Sequence, residues 1–436
     1  MTAGLLPGIE EFMYRVARPP LSTLIALLPA AEPPPTFEEL EHNVKRACLP
    51  VTLRQNASGS HIRALLQERS GTRAFDIEVN ETELLPRYLE FARLRGGDFD
   101  AALASQFFLS VRCNLGRDVL DSLHSQVRLL AALAPEAVAM LDVNAFHART
   151  GDWMRDVAAA SVPPAPTSFF SVHSVFGDGP KRRQTWLHTH GLHRMGGIEL
   201  DIVGVRRREA PALGELINNV ARFFLDCGVP LPNTRFHAGN GLPLVWLPWE
   251  AALQHVDAPL GGAADRDAEH SGERGILLAP AKDSPERLEA PRCYVPLIEA
   301  DPIFYVSSAE TERMQRLARE RLSSFLALQS RFAKNRKWDF RVKLGLPTDA
   351  AGDGHGGAEH LWFDVHQATP RSVDGTLLNQ PYSVTSLREG QRGTFDLRLL
   401  TDWEIESPRG RYTPESVLQL ERGLAKAPVS ARPLLH

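Results

Sequence analysis

The chain has 436 residues, of which 43% are hydrophobic and 23% charged, a composition typical of a globular protein with more than one domain. The formal net charge of −4 comes from 49 basic and 53 acidic residues without long runs of one sign, so we expect neither nucleic acid nor a membrane as a partner. The cysteines are too far apart for a zinc ribbon or a redox motif and are expected to be reduced: Cys48, Cys113, Cys227 and Cys293. The opening residues lack the pattern of a signal peptide, and no stretch reaches about 18 apolar residues, so we expect a cytoplasmic protein.

The N-terminal part of the chain is predicted to hold an appendage and then a mixed domain. Residues 1–35 end in "AEPPP" and are interpreted as an appendage and linker. An α+β domain is expected over 36–255, starting with a capping box formed by Thr36 and Glu39. Its predicted strands are "AFDIEV", "FFLSVRCNL" and "AVAMLDVNA", and apolar residues at helical spacing predict a helix between Val119 and Leu133.

A second helix and a polar segment complete the predicted first domain. The apolar face that runs from Leu213 to Cys227 predicts a helix that ends at Gly228. Residues 256–290 are rich in Gly, Ala, Asp and Glu, which cannot bury much apolar surface, so this segment is predicted to be a flexible linker.

The C-terminal part is predicted to be a small domain over 291–426, followed by a tail at 427–436. Ser307 and Glu310 suggest a capping box at the start of a helix. The strands "FRVKL", "LWFDV" and "TFDLRLL" alternate apolar and polar residues, and "VDGTLL" suggests a turn at Asp374-Gly375. We therefore predict an α+β fold with mixed or antiparallel sheet and helices, followed by a small β-rich domain with a curved sheet or a barrel.

The segment "TWLHTHGLHRMGGIELDIVG" holds the candidate site. If "TWLHTH" is a strand, His188 and His190 lie on one face with their Cα atoms about 6.5–7 Å apart. This spacing permits metal binding with Glu199 or Asp201 as a further ligand. The favoured interpretation is structural. It places "GLHRMGG", which contains His193, between two antiparallel strands, and it lets Glu199 and Asp201 accept hydrogen bonds from imidazoles of the neighbouring strand.

This favoured interpretation predicts no metal and no other cofactor. A general acid–base or ligand-binding role for the segment is the third interpretation. Motifs for binding nucleotides or for activating a nucleophilic serine are absent from the sequence, and no cysteine and histidine form a local catalytic pair.

Two stretches of the sequence resemble known bacterial families. The motifs "EHLW" (359–362), "LLNQP" (377–381) and "DW" (402–403) resemble domain of unknown function 2314 over about Ile303 to Arg411. The segment "WLHTHGLHRMGGIELDI" resembles domain of unknown function 4026, whose members commonly carry the other domain at the C-terminus. Together the two families cover most of the chain from about residue 40. The resemblance implies this domain order and a bacterial source, and it implies no reaction.

The leading functional hypothesis is a bacterial cytoplasmic protein without catalytic activity that binds another protein. An alternative hypothesis is a metal-assisted hydrolase centred on His188 and His190. A third hypothesis, suggested by the modular build alone, is an immunity or stress-related protein. The sequence does not indicate an oligomeric state.

Overall fold

The structure, a computed structural model, consists of two compact units. It describes residues 13–57, 61–69, 71–82, 94–239, 241–267, 270, 272–300, 307–349 and 357–425, so the predicted tail at 427–436 lies outside the described residues. One unit contains Met1–Ala158 with Ala165–Val306, and the other contains Ala159–Pro164 with Ser307–His436. Helices and mostly antiparallel sheets occur in both, which confirms the α+β prediction.

The first sheet of the larger unit is built around a strand that we had not predicted. The strands of the N-terminal part are β1 (Met13–Tyr14), β2 (Ser22–Leu27), β3 (Val51–Gln55), β4 (Ile62–Glu68), β5 (Gly71–Glu81), β6 (Phe107–Cys113), β7 (Ala139–Asp142) and β8 (His147–Thr150). Seven of them form a sheet in the order β3-β4-β5-β6-β2-β7-β8. β2 is buried and pairs antiparallel with both β6 and β7. The interpretation of 1–35 as an appendage is therefore wrong for Ser22–Leu27, because "STLIAL" is short but apolar enough to form an interior strand.

The helices of this part bear out the periodicity of the sequence. They are α1 (Phe37–Arg46), α2 (Gly97–Leu103), α3 (Val119–Leu133) and α4 (Gly151–Ala159). Thr36 and Glu39 form the predicted capping box of α1. α3 packs on β2 and β6 through buried residues that include Leu123, Val127 and Leu130. The predicted capping box at the start of α1 and the predicted helix between Val119 and Leu133 are both confirmed.

The second sheet of the larger unit contains the histidine segment. Its part of the chain has strands β9 (Ser171–Phe176), β10 (Gln184–His190), β11 (Glu199–Arg206), β12 (Val229–Pro230), β13 (Phe236–His237), β14 (Pro243–Pro248), β15 (Arg274–Pro280) and β16 (Leu288–Glu289). The sheet order is β13-β14-β15-β11-β10-β9, with β16 beside β15, while β12 pairs with β1. The helices are α5 (Ala210–Cys227), α6 (Trp249–Ala252) and α7 (Val295–Glu299). α5 packs against β10 and β11 and ends as predicted at Gly228, whose φ of +83° favours glycine.

The prediction of a flexible linker at 256–290 is wrong for its second half. β15 lies between β14 and β11 and runs parallel to β11, and residues 274–279 are buried. The polar residues on either side of "RGILLAP" lower the average hydrophobicity of the segment. The average therefore does not indicate this apolar run. The first residue of the strand, Arg274, is also charged, although it is only 4% exposed.

The smaller unit is an open antiparallel sheet with helices. Its elements are α8 (Ser308–Glu320), α9 (Leu322–Phe332), β17 (Asp339–Pro347), β18 (Ala358–Ala368), β19 (Ser372–Leu377), β20 (Arg392–Asp396), β21 (Leu400–Ser407), β22 (Gly410–Tyr412) and α10 (Val417–Ala425). The six strands follow the order β20-β19-β18-β17-β21-β22, so the sheet does not close into a barrel. Ser307 accepts a hydrogen bond from the backbone N–H of Glu310, but the carboxylate of Glu310 accepts from Arg313, so only the Ser307 half of the predicted capping box forms.

Two details of the smaller unit differ from the predictions. Asp374 and Gly375 lie inside β19 and pair with β18 and β20, so they do not form a turn. "TFDLRLL" is not one strand, because β20 ends at Asp396 and a 3-10 turn at Leu397–Leu399 leads into β21.

Trp403 of β21 is fully buried, and its indole N–H donates to the carbonyl of Ala318 at 2.9 Å.

Candidate metal centre

The predicted hairpin forms around the histidine segment. β10 and β11 are antiparallel and are joined by a 3-10 turn at Leu192–Met195. Ile198, Leu200 and Ile202 are at most 1% exposed and belong to the main core of the unit, as predicted. The hairpin itself is therefore confirmed.

Strand alternation places Trp186, His188 and His190 on the sheet face opposite Leu187. β9 pairs antiparallel with β10, and its residue His173 lies directly opposite His188. Partners in a strand pair share a face, so His173 joins the same group. Three imidazoles thus meet because two adjacent strands are in this register.

The three histidines lie close enough to share one ion. One ring nitrogen from each of His173, His188 and His190 can be chosen so that all lie within 4.8 Å of one another. The ring centroids are 5.6 Å apart for His173 and His188, 4.8 Å for His173 and His190, and 4.9 Å for His188 and His190. Zn–N bonds of about 2.0–2.1 Å at tetrahedral angles separate two ligand atoms by about 3.3 Å. Reaching this spacing from as much as 4.8 Å requires the ring nitrogens to approach one another by up to about 1.5 Å.

Burial lowers the pKa of the imidazoles of His188 and His190. His188 is 2% exposed and His190 is 5% exposed, whereas His173 is half-buried. Burial, with smaller effects from His190 and Arg274, holds the pKa of His188 far below its ordinary value. Burial also lowers the pKa of His190 to about 3, although the nearby Glu199 acts in the opposite direction. A neutral imidazole has the free lone pair that a metal ion needs.

The hydrogen bonds of His188 are unusual for a histidine in a protein core. Its Nδ1 is buried without a hydrogen-bond partner among the described residues. Its Nε2 lies 3.3 Å from the Nε2 of His270, which belongs to the segment between α6 and β15. Buried polar atoms are nearly always paired, most often with backbone or water, so a ring whose contact is another imidazole is an exception that calls for an explanation.

Aromatic side chains frame the cluster on two sides. The ring of Trp186 lies 4.5 Å from that of His188 and 5.0 Å from that of His270, measured between centroids. On the other side the ring of Phe146 lies 4.7 Å from that of His190. These rings limit the directions in which the imidazoles can move.

The two predicted acidic residues lie beside the cluster, but their partners differ from those we expected. Asp201 is opposite His188 in the strand pairing and is fully buried. Its carboxylate accepts hydrogen bonds from Arg266 at 2.8 Å, from Arg274 at 2.9 Å and from the indole of Trp186 at 3.3 Å. The side chains of both arginines are at most 2% exposed, so this is a buried charge network.

Glu199 stabilises the turn of the hairpin. Its carboxylate accepts from the hydroxyl of Thr189 and the backbone N–H of Gly191, both at 2.7 Å, and it also contacts the ring of His193. Burial alone would raise the pKa of Glu199, but the hydrogen bond and charge of His193 lower it below its ordinary value. His193 is therefore the histidine that pairs with a predicted carboxylate, and it serves the turn.

The structure thus separates the predicted candidates into three groups. His188 and His190 belong to the imidazole cluster, His193 and Glu199 pair in the turn, and Asp201 binds two arginines. Sequence reasoning missed His173 and His270. The alternation of "SVHSV" could have suggested a strand for His173, but its register against β10 is a tertiary property, and the sequence around His270 has no pattern that indicates its position.

Comparisons with known families agree with this architecture. Residues 22–164 match the N-terminal part, and residues 172–278 the C-terminal part, of the family described as protein of unknown function (DUF4026). The chain belongs to the DUF4026 family. Residues 314–426 match an uncharacterized protein family conserved in bacteria (DUF2314). Both resemblances noted in the sequence are confirmed, and the two parts of DUF4026 coincide with the two sheets of the larger unit.

No curated protein and no solved structure matches this DUF4026 chain. In the part of the chain that the structure describes, no helix combines the length and the apolar character needed to cross a membrane. The family descriptions name no activity, so function has to be argued from the histidine cluster itself.

Proposed function

We propose that this protein binds one divalent transition-metal ion, with Zn²⁺ as the first candidate, through His173, His188 and His190. The observation that carries the proposal is the convergence of three imidazoles within 4.8 Å on one sheet face. Imidazole ligands suit zinc, copper, iron and nickel, whereas magnesium and calcium prefer oxygen ligands. The favoured interpretation of the sequence was structural, and the two additional histidines are the reason for this change.

A purely structural role explains the cluster less well. Histidines that stabilise a core normally donate to a carbonyl or a carboxylate, as His193 does with Glu199. His188 instead has one nitrogen without a partner among the described residues and the other beside His270. A metal ion would convert the one free lone pair of each of these neutral rings into a bond.

Metal-assisted hydrolysis is a second candidate function. Three histidines and a bound water form a known type of catalytic zinc site, in which the metal lowers the pKa of the water. The nearest buried carboxylates are already engaged, Asp201 by two arginines and Glu199 by the turn. Neither is free to act as a general base, so metal binding without hydrolysis is the better-supported proposal.

Binding to another protein, the leading hypothesis from the sequence, is a separate proposal for the smaller unit. Tyr382 is 91% exposed and Leu378 is 40% exposed, both on the segment after β19, and exposed aromatic residues are enriched at interfaces. No feature of the described residues favours an immunity or stress-related role. A cytoplasmic location stays a proposal from the sequence.

A metal titration with matched variants tests the main proposal. Tag-free chain would be titrated with Zn²⁺ against a chromogenic chelator, beside the double variant His188→Gln with His190→Gln and the control His366→Gln, whose histidine is exposed in the smaller unit. We expect saturable binding of one equivalent by the wild type and the control, and none at this site by the double variant. Equal binding by all three chains, or no saturable binding by the wild type, would overturn the proposal. Circular dichroism would establish that the double variant is folded.

A further inference from the structure

A fourth histidine reaches the cluster from outside the sheet strands. His270 lies on the segment between α6 and β15, and its Nε2 is 3.3 Å from the Nε2 of His188. Its ring centroid is 4.8 Å from that of His188 and 5.3 Å from that of His190. This segment was predicted to be a flexible linker, yet it brings an imidazole to the candidate metal centre.

The distance between the two Nε2 atoms matches a shared ion. Two ligand atoms on one tetrahedral zinc, with bonds of about 2.0–2.1 Å, are separated by about 3.3 Å. A hydrogen bond between two neutral imidazoles gives a similar distance, but it requires one ring to donate and the other to accept. The spacing is therefore already suitable for an ion, whichever of the two states the isolated rings adopt.

A carboxylate orients the His270 ring. Asp267 Oδ1 lies 2.7 Å from His270 Nδ1, so Nδ1–H donates to the carboxylate and the lone pair of a neutral ring remains on Nε2. Histidines that bind metals commonly donate their other N–H to a carboxylate in this way. The pair Asp267–His270 thus presents Nε2 toward His188.

The segment is also held over the sheet by contacts that do not involve the histidine rings. Arg266 donates to Asp201 at 2.8 Å and to the backbone carbonyl of His270 at 3.0 Å. Its guanidinium lies between the rings of Trp186 and Trp249, 5.1 Å and 4.8 Å from their centroids. These contacts position His270 beside His188 and His190.

We infer that His270 is the fourth ligand of the metal ion, so that the ion is enclosed by four imidazoles and its binding fixes residues 257–267 and His270 against the sheet. This inference rests on the proposed function, because it needs metal at His173, His188 and His190. A closed four-ligand sphere leaves no position for a reactive water, which is the arrangement of structural zinc sites. Loss of the metal would release His270 and loosen residues 257–267, so the exposure of these residues would depend on the metal supply.

Cobalt substitution gives the coordination number directly. Co²⁺ would be added to wild type, His270→Ala, His270→Gln and the control His255→Ala, which changes an exposed histidine at the start of the same connection. We expect the intense visible absorption of a four-coordinate Co²⁺ site in the wild type and the control. Both His270 variants should show an altered, weaker spectrum because water replaces an imidazole, and their metal affinity should fall by about tenfold or more.

Limited proteolysis supplies a second measurement that does not depend on the spectrum. Zn²⁺ should protect residues 257–267 in the wild type and in His255→Ala, but not in the His270 variants. If the wild type binds metal and the His270 variants keep its spectrum, affinity and protection, this inference is overturned while the proposed function stands. If the wild type binds no metal, both are overturned. Thermal melting of each variant without metal shows whether it has kept its fold.

Discussion

The buried carboxylate of Asp201 is expected to have a large effect on stability. Asp201 is fully buried and accepts from the guanidinium groups of Arg266 and Arg274, whose side chains are 1% and 2% exposed. Replacing Asp201 by Asn keeps the size of the side chain but leaves two buried positive charges without a carboxylate. Removing one partner from a buried ion pair costs about 3–5 kcal/mol. We therefore expect Asp201→Asn to lower the free energy of unfolding of the larger unit by about this amount.

Chemical denaturation followed by tryptophan fluorescence measures this effect, with Asp257→Asn as a control at an exposed position. The control should change the free energy of unfolding by no more than about 0.5 kcal/mol. The double variant Asp201→Asn with Arg266→Met removes one of the stranded charges, so it should be more stable than the sum of the two single changes predicts. A loss of less than about 1 kcal/mol for Asp201→Asn, or simple additivity in the double variant, would refute the argument that this network holds residues 257–267 and His270 in place.

The other predictions concern the smaller unit and the metal. Phe363→Ala should cost about 3–5 kcal/mol because Phe363 is fully buried against Phe395, whereas Asp364→Ala on the opposite face should cost little, as measured by denaturation. Burial raises the pKa of Asp402 to about 6, so the folded chain binds more protons than the unfolded chain between about pH 4 and pH 6, and stability from this group falls as pH rises through that range. The stability of Asp402→Asn relative to the wild type should therefore rise by at most about 3 kcal/mol between pH 4 and pH 7. Parallel plots of the free energy of unfolding against pH for the two chains would count against this expectation. Zn²⁺ at about 100 times its Kd should stabilise the wild type by about 2.7 kcal/mol, and the double variant of His188 and His190 by much less, in thermal melts.

The elements with a clear local pattern could be predicted from the sequence. The capping residues Thr36 and Ser307 and the helix that ends at Gly228 were located because each uses a contact or a backbone conformation within a few residues. The hairpin of β10 and β11 was predicted from alternating apolar residues such as Leu200 and Ile202. These predictions depend on short-range geometry, which the sequence contains directly.

The elements that depend on distant partners could not be predicted. β2 is stabilised by pairing with β6 and β7, which lie more than 75 residues further along the chain, so an isolated short apolar stretch gave no sign of its central position. β15 begins with Arg274, whose burial is possible only because Asp201 on another strand supplies the opposite charge. The average hydrophobicity of a polar segment does not show that a charged residue in it is paired with an opposite charge on another strand.

The candidate site shows the same division. Alternation within one strand correctly placed His188 and His190 on one face, but His173 required the register of β9, and His270 required the path of a connection that has no regular pattern. The carboxylates were expected to bind the cluster histidines because the two arginines that engage Asp201 were not recognised as buried. Half of the histidine cluster was therefore accessible from sequence, and the other half from tertiary structure alone.

X-ray absorption at the metal edge, on tag-free protein purified without chelators, tests directly whether four imidazoles bind a metal ion. We expect one equivalent of a transition metal with a shell of four nitrogen atoms at about 2.0–2.1 Å and the scattering pattern of imidazole, and a shell with one imidazole fewer in His270→Ala. Protein that is saturated with added Zn²⁺ but shows a shell of oxygen atoms without imidazole scattering, or protein that takes up no metal, would contradict the account.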